Sequence, residues 1–182
     1  MKNLKPNPTN TILLTAPRSG SNLLENTLEA MSLIRILKTH SCWHTKNKNI
    51  ITIVRDPLDT ITSWAAMRMH YRNGEIKKDL VKHYCSIYTF LINNADVILD
   101  YNDLIDNPYG PTKNVADYMG IKTFFSTPEI ARNSDTPSRR YLVSSTSSDY
   151  YKVAQEIFRD TDLSECYRLY NQALSLKTKF AQ

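Results

Sequence analysis

The feature that most constrains the fold is the stretch of residues 11–31, TILLTAPRSGSNLLENTLEAM, where a short apolar run meets a small, basic turn and then an amphipathic segment. The run at residues 12–14 is too short for a helix and stops before Pro17 and Gly20, which is typical of a buried parallel strand. Beyond the turn, side chains that can pack recur at helical spacing, at Leu23, Leu24, Thr27, Leu28 and Met31. The stretch therefore predicts a strand, a loop and a helix that covers one face of a sheet.

The loop in this unit is suited to binding an anion. It consists of Arg18, Ser19, Gly20, Ser21 and Asn22. Together they offer a guanidinium, two hydroxyls and the free backbone N–H groups at the positive end of a helix, a combination that suits phosphate or sulfate. The alternative is an ordinary turn whose Ser and Asn only cap the helix. The loop alone does not decide between the two.

Two further runs predict strands of the same sheet. Residues 50–54 are rich in β-branched side chains and stop at Arg55-Asp56-Pro57, and residues 97–99 form another short apolar run. A second apolar segment lies at residues 33–37. Because these runs alternate with helical segments, the strands should pair in parallel through right-handed crossovers. The sequence predicts a three-layer α/β fold around a central parallel sheet.

Apolar spacing and capping residues predict five more helices. The first begins at Pro57, with Asp56 as its N-cap, and continues to residue 71. The others cover residues 76–91, 114–119, 150–158 and 163–176, the third of the five stopping at Gly120. Asp162 and Glu165 resemble a capping box for the last helix. Residues 124–148 have no clear period and are expected to form a loop.

Size and composition indicate a soluble globular protein of one domain, residues 1–182. Hydrophobic residues make up 41% and charged residues 23%, and no apolar run approaches the ~20 residues that a membrane-spanning helix needs. The polar N-terminus carries no secretory core, so a cytoplasmic location is expected. Three scattered cysteines have no metal-ligand spacing and are expected to stay reduced, with no metal site. The net charge of +5 favours an anionic partner.

Basic and hydroxyl-bearing residues follow three of the apolar runs. They are the Arg18 loop, then Lys38, Thr39 and His40, and then Arg55 with Ser63 eight positions later. In an open parallel sheet, ligands bind at the carboxyl ends of the strands. The sequence therefore predicts that these side chains gather around one anionic ligand.

Each of these residues also has an ordinary interpretation. Arg55 and Ser63 can cup a phosphate, or Arg55 can pair with a neighbouring aspartate while Ser63 packs. His40 can act as a general base near neutral pH, or it can be a loop histidine with a satisfied ring. His44 is close enough in sequence to compete for the base role. His83 lies in a predicted helix and is expected to be a surface or packing residue.

Four stretches resemble the motifs of the sulfotransferases that use 3′-phosphoadenosine 5′-phosphosulfate (PAPS). APRSGSNLL resembles their 5′-phosphosulfate loop, and IITIVRDPLDTITSW resembles their 3′-phosphate motif. RILKTH resembles the segment that carries the catalytic base, and VILDYNDLIDNPYGPTKNVADYMGI resembles the segment with a Tyr-Glu-Asp-Leu core. The likeness covers residues 11–122 in the family's own order.

The resemblance implies a P-loop-like core and transfer of a sulfuryl group from PAPS to a hydroxyl or amine of a small molecule or saccharide. It implies that the loop at residues 18–22 holds the 5′-phosphosulfate and that Arg55 with Ser63 holds the 3′-phosphate. His40 would be the general base and Lys38 would neutralise the leaving oxygen, with Arg18 beside it. Tyr101 would approach the adenine. No metal and no nucleic acid are implied.

The chain also departs from the family pattern. Leu23 stands where many members have an adenine-stacking Trp, and Asn102 replaces the usual Glu. The Arg-Lys-Gly motif that completes the 3′-phosphate site is missing, and Arg139 and Arg140 are candidate substitutes that do not align with it. The aromatic residues considered for an acceptor pocket are Trp43, Tyr71, Tyr141, Tyr150 and Tyr151.

Three other functions compete with this interpretation. A small-molecule kinase on a P-loop core would need a Lys after the loop glycine, and Gly20-Ser21-Asn22 supplies none. A nucleic-acid-binding protein would present its basic residues on one face, whereas here they are interleaved with acids. A protein that binds the nucleotide without transferring anything is the third.

Overall fold

The computed structural model describes residues 6–71, 79–124 and 149–178. In these ranges the chain forms a four-stranded sheet of β1 (Thr11–Leu14), β2 (Leu37–Thr39), β3 (Asn49–Val54) and β4 (Val97–Asp100). The strand order is β2-β1-β3-β4 and every pair is parallel. The predicted α/β class and parallel sheet are confirmed.

Seven α-helices accompany the sheet in the described ranges. They are α1 (Ser21–Ser32), α2 (Pro57–Tyr71), α3 (Leu80–Asn94), α4 (Tyr101–Asp106), α5 (Tyr109–Tyr118), α6 (Asp149–Arg159) and α7 (Ser164–Ser175). A 3₁₀ turn, Cys42–His44, follows β2. The described helices include none that is both long enough and apolar enough to cross a membrane.

The helices form a layer on each face of the sheet because successive strand residues point to opposite sides. Ile12 and Leu14 join a core with α2, α3, α6 and α7. Leu13 joins a second core with α1 and α5. All six residues of β3 are buried, as expected for a central strand covered on both faces. The three-layer arrangement positions the strand ends, and with them the site.

Several boundaries differ from the predictions. The second strand begins only at Leu37, because Leu33 takes a left-handed conformation (φ 59°) and closes α1 through its N–H to Glu29. Lys38 therefore lies inside β2 rather than after it. The helix predicted at residues 114–119 begins earlier, at Tyr109. The first residues of the helix predicted at 76–91 fall partly outside the described ranges.

The capping predictions had mixed outcomes. Asp56 caps α2, since its carboxylate accepts the N–H of Asp59 at 3.0 Å. The capping box before α7 does not form. Asp162 accepts the N–H of Ser164 at 2.9 Å, whereas Glu165 is held by Arg168.

All three cysteines are free, and two of them approach each other. Sγ of Cys85 on α3 lies 3.3 Å from Sγ of Cys166 on α7. Burial, followed by the neighbouring thiol, raises the pKa of Cys166 to about 12. The two thiols pack α3 against α7.

Candidate active site

A cavity of about 470 Å³ lies at the carboxyl edge of the sheet. Its walls come from the loop before α1, the end of β2, and helices α2 and α3. The lining residues are Pro17, Arg18, Gly20, Ser21, Asn22, His40, Trp64, Met67, Arg68 and His83. The sequence-predicted loop and the predicted base thus face one space.

The loop at residues 18–22 exposes the N-terminus of α1. Gly20 precedes the helix in a left-handed conformation (φ 97°), and no side chain caps the first turn, which also contains no acidic residue. Arg18 is left-handed as well (φ 68°), a conformation that costs a non-glycine residue about 1 kcal/mol. The Ser19 hydroxyl donates to the carbonyl of Ala16 at 2.7 Å and so shapes the turn. The backbone N–H groups of an uncapped helix N-terminus are suited to an anion.

Arg18 links Arg55 to Ser63. Nη1 of Arg55 donates to the backbone carbonyl of Arg18 at 2.9 Å, and Nε of Arg18 donates to Oγ of Ser63 at 3.1 Å. The Arg55 guanidinium also lies 3.6 Å from the carboxylate of Asp59, so the pairing considered as the alternative is present too. Its buried Nε has no hydrogen-bond partner among the described residues. Two guanidinium groups and a hydroxyl are gathered in one place.

The Tyr101 ring packs between the loop and Arg55. A Cβ at Gly20 would lie 2.6 Å from Cδ2 of this ring. The Arg55 guanidinium sits over the same ring, 4.3 Å from its centroid. Gly20 is therefore needed both for its positive φ and for the space that Tyr101 fills.

Two buried phenols fix the backbone of Arg55, and sequence reasoning missed this role. Tyr88 accepts the N–H of Arg55 at 2.9 Å, and the hydroxyls of Tyr84 and Tyr88 each reach its carbonyl at 3.1 Å. The rings stack with centroids 4.0 Å apart. Burial raises the pKa of both phenols, so they stay neutral. The two tyrosines are one helical turn apart on α3, a spacing that predicted only packing.

His40 follows β2 and is held by β1. Its Nδ1 donates to the carbonyl of Thr15 at 2.8 Å, which leaves Nε2 as the unprotonated nitrogen of the neutral ring. Burial lowers the pKa of His40, the hydrogen bond to Thr15 opposes this effect, and the positive charge of Lys38 lowers the pKa further. The imidazole is therefore neutral at pH 7, with one nitrogen able to accept a proton.

Lys38 is tied to the first turns of α1. Its Nζ donates to Oδ1 of Asn22 at 2.5 Å and pairs with Glu25 at 2.5 Å. Glu25 was not singled out from the sequence, since an acid in an amphipathic helix is usually a solvated surface residue. The role of Lys38 at a leaving oxygen stays a prediction.

The sequence did not predict the wall of the cavity that α2 and α3 form. Trp64, only 3% exposed, contacts His83 edge to face with centroids 5.3 Å apart. The Arg68 guanidinium lies 4.9 Å from the Trp64 centroid. His83, expected to be a surface or packing residue, instead lines the cavity. The signal that could have located this wall is the position of Trp64 and Arg68 directly beyond Ser63 on α2.

Comparison with known proteins assigns the family. The model of a family described as "Sulfotransferase domain" matches residues 25–135, more than half of the chain. The chain belongs to the sulfotransferase family. The match to the sulfotransferase domain begins inside α1, continues through α5 and includes Arg55, Ser63 and Tyr101, while the loop at residues 18–22 precedes it. No curated protein matches this sulfotransferase chain in a sequence search.

Some predicted residues of this sulfotransferase lie elsewhere. Trp43 is 91% exposed and does not line the cavity. Arg139, Arg140 and Tyr141 fall outside the described residues, as do the side chains of His44, Tyr71 and Tyr150. Within the described ranges, no cluster of three or more His, Cys, Asp or Glu side chains could hold a metal ion.

Proposed function

We propose that the protein transfers a sulfuryl group from PAPS to an acceptor hydroxyl or amine, with His40 as general base, and releases 3′-phosphoadenosine 5′-phosphate (PAP). The observation that carries the proposal is the placement of His40. Its ring is neutral, oriented by Thr15, and lines the same cavity as the uncapped N-terminus of α1. A base beside an anion site is the arrangement that group transfer to a hydroxyl requires.

The residues at the carboxyl edge fit the two charged ends of the donor. The α1 N-terminus and Arg18 would hold the 5′-phosphosulfate. Arg55 and Ser63 would hold the 3′-phosphate, and the unpartnered Nε of Arg55 supports this assignment. Tyr101, already against Arg55, would lie next to the adenine. The donor would supply an activated sulfuryl group.

The chain's own groups supply positioning and proton transfer. His40 Nε2 takes the proton of the acceptor as the acceptor oxygen forms its bond to sulfur. The bond from sulfur to the phosphate oxygen breaks, and its electron pair stays on that oxygen. Arg18 and Lys38, with the backbone amides of α1, stabilise the charge that develops there. Glu25 positions Lys38 by pairing with it.

Calorimetry with PAP, AMP and ATP tests the donor assignment. We expect PAP to bind more tightly than AMP, because only PAP carries a 3′-phosphate for Arg55. The Arg55→Ala variant should lose this preference, a change of about tenfold or more for one charge-assisted contact. Arg168→Ala, on the exposed face of α7, is the matched control and should retain it. Tighter binding of ATP with a requirement for Mg²⁺ would instead indicate a kinase.

Turnover of the His40→Ala variant tests the base. Transfer should fall by about 10²- to 10⁴-fold, while PAP affinity stays within about twofold of wild type. The readout is PAP release in the presence of acceptor. If turnover is unchanged, His40 is not the base. Donor binding without transfer to any acceptor by the wild-type protein would indicate a nucleotide-binding protein.

A further inference from the structure

The cavity carries more positive charge than the donor accounts for. The donor's charged ends are assigned to Arg18, Arg55 and the N-terminus of α1, and of these Arg18 and the α1 N-terminus line the cavity. Arg68 and His83 lie on the opposite wall, on α2 and α3. None of the described residues that line the cavity is an Asp or Glu. The opposite wall is therefore a second place where an anion would be stabilised.

An aromatic contact holds Arg68 in position. Its guanidinium contacts the indole of Trp64 at 4.9 Å from the centroid. Trp64 is itself fixed, because it is almost fully buried and contacts His83. Among the described residues, no carboxylate pairs with Arg68. A cation–π contact leaves the N–H donors of a guanidinium available for a ligand.

This wall belongs to the space that an acceptor must enter. An acceptor whose hydroxyl faces His40 has the loop on one side and the α2–α3 wall on the other, since all of them line one cavity. Met67 and Trp64 offer it apolar surface. The cation at position 68 is the one strongly charged group that this wall presents among the described lining residues.

We propose that the acceptor carries an anionic group, such as a carboxylate or a sulfate or phosphate ester, which Arg68 binds while the acceptor's hydroxyl faces His40. This inference rests on the proposed function and specifies its substrate class. Trp64 and Met67 hold the uncharged body of the acceptor, and Arg68 selects for the charge. Arg68 thereby acts as a specificity residue and takes no part in the transfer itself.

Calorimetry with matched probes tests the inference, with PAP saturating so that the donor site is filled. The probes are 3-(4-hydroxyphenyl)propionate against its amide, and methyl glucuronide against methyl glucoside. In at least one pair, the wild-type protein should bind the anionic member about tenfold or more tightly than the neutral member. In Arg68→Gln this preference should fall to less than about twofold, with PAP affinity unchanged. Arg168→Gln removes the same charge far from the cavity and should keep the preference.

The outcomes separate this inference from the proposed function. If PAP does not bind, the proposed function fails. If PAP binds but neither pair shows a preference for its anionic member, or neither pair binds, only the inference fails. It also fails if the preference survives in Arg68→Gln. Weakened PAP binding in Arg68→Gln would overturn it too, because Arg68 would then belong to the donor site.

Discussion

At the residue scale, backbone groups orient the side chains of the site. The carbonyl of Thr15 fixes the tautomer of His40, and the carbonyl of Arg18 receives the guanidinium of Arg55. Such partners do not titrate and do not depend on a second flexible side chain. The site is therefore largely organised before a ligand arrives, which is what electrostatic catalysis requires.

The pH dependence of activity follows from the pKa of His40. His40, as the proposed general base, must be unprotonated to act, so activity should fall as the pH drops through its pKa. Because burial and then Lys38 lower this pKa from 6.5, the acidic limb of kcat/KM should lie below pH 6.5. A profile of kcat/KM against pH measures it.

The Lys38→Met variant tests the electrostatic part of this prediction. Removing the positive charge should raise the pKa of His40, so the acidic limb should move to higher pH whatever happens to the maximal rate. Lys113, an exposed lysine paired with Asp117 on α5, provides the control. Its replacement by Met should leave the limb in place. A limb that does not move in Lys38→Met would show that Lys38 has no influence on the base.

The placement of single side chains was largely predictable where a motif contained them. Arg18, His40, Arg55 and Ser63 were named from their positions after apolar runs, and the structure brings them to one edge. Arg68 could not be found in this way, because its significance depends on where α2 passes the cavity. Only the packed arrangement of helices supplies that information.

At the element scale, the loop at residues 18–22 packs closely against the start of α4. Gly20 precedes α1 and Tyr101 begins α4, yet a Cβ at position 20 would overlap the ring at 2.6 Å. Gly20 also needs a positive φ, which disfavours any other residue. The start of α4 therefore constrains the start of α1.

Replacement of Gly20 by Ala should cost more than backbone strain alone. We expect Gly20→Ala to lower the free energy of unfolding by about 2–4 kcal/mol, the sum of a strained φ and an overpacked contact. Chemical denaturation measures the change. Gly120→Ala is the matched control, since Gly120 also has a positive φ (67°) but its Cβ would meet nothing within 4 Å. The free energy of unfolding of Gly120→Ala should fall by only about 1 kcal/mol.

The double variant distinguishes the two contributions. Tyr101→Ala removes the ring that the new methyl group strikes, so the Gly20→Ala cost measured in that background should fall towards the cost at Gly120. Equal costs at Gly20 in both backgrounds would mean that the ring does not restrict the loop.

Element types were more predictable than element boundaries. The strand at residues 50–54 and the helix opened by Asp56 were correct because β-branched runs and N-caps act locally. The apolar segment at residues 33–37 does not form the second strand, since β2 begins only at Leu37. The reason is that Leu33 ends α1 in a left-handed conformation, which an apolar run does not predict. The rest of that segment became a connection, and Leu37 became an exposed edge residue.

At the scale of the whole molecule, the site draws on all four strands. Thr15 follows β1, His40 follows β2, Arg55 follows β3 and Tyr101 follows β4. These residues are distant in sequence and meet only when the sheet is complete. The sheet order β2-β1-β3-β4 could not be read from the sequence, although the shared carboxyl edge followed from parallel pairing. One domain for residues 1–182 stays a prediction, because only part of the chain is described.

Hydrogen exchange with and without PAP should reveal this assembly. PAP binds only when the site is formed. At a concentration about 100 times Kd, local unfolding that disrupts the site should therefore become up to about 100-fold less frequent. We expect slower exchange in peptides that contain residues 18–24, 55–63 and 101–104, and no change in residues 164–175 of α7. Protection confined to residues 18–24 would contradict a donor site shared among strands.

The position of the Tyr101 ring against Gly20 also limits how this fold can be redesigned. A loop grafted from another P-loop protein would bring a side chain or a different backbone path to position 20, and it would meet the aromatic ring before it met any nucleotide. Exchange of the proposed donor for another nucleotide would therefore have to begin with a smaller side chain at the first residue of α4, and only then proceed to the loop.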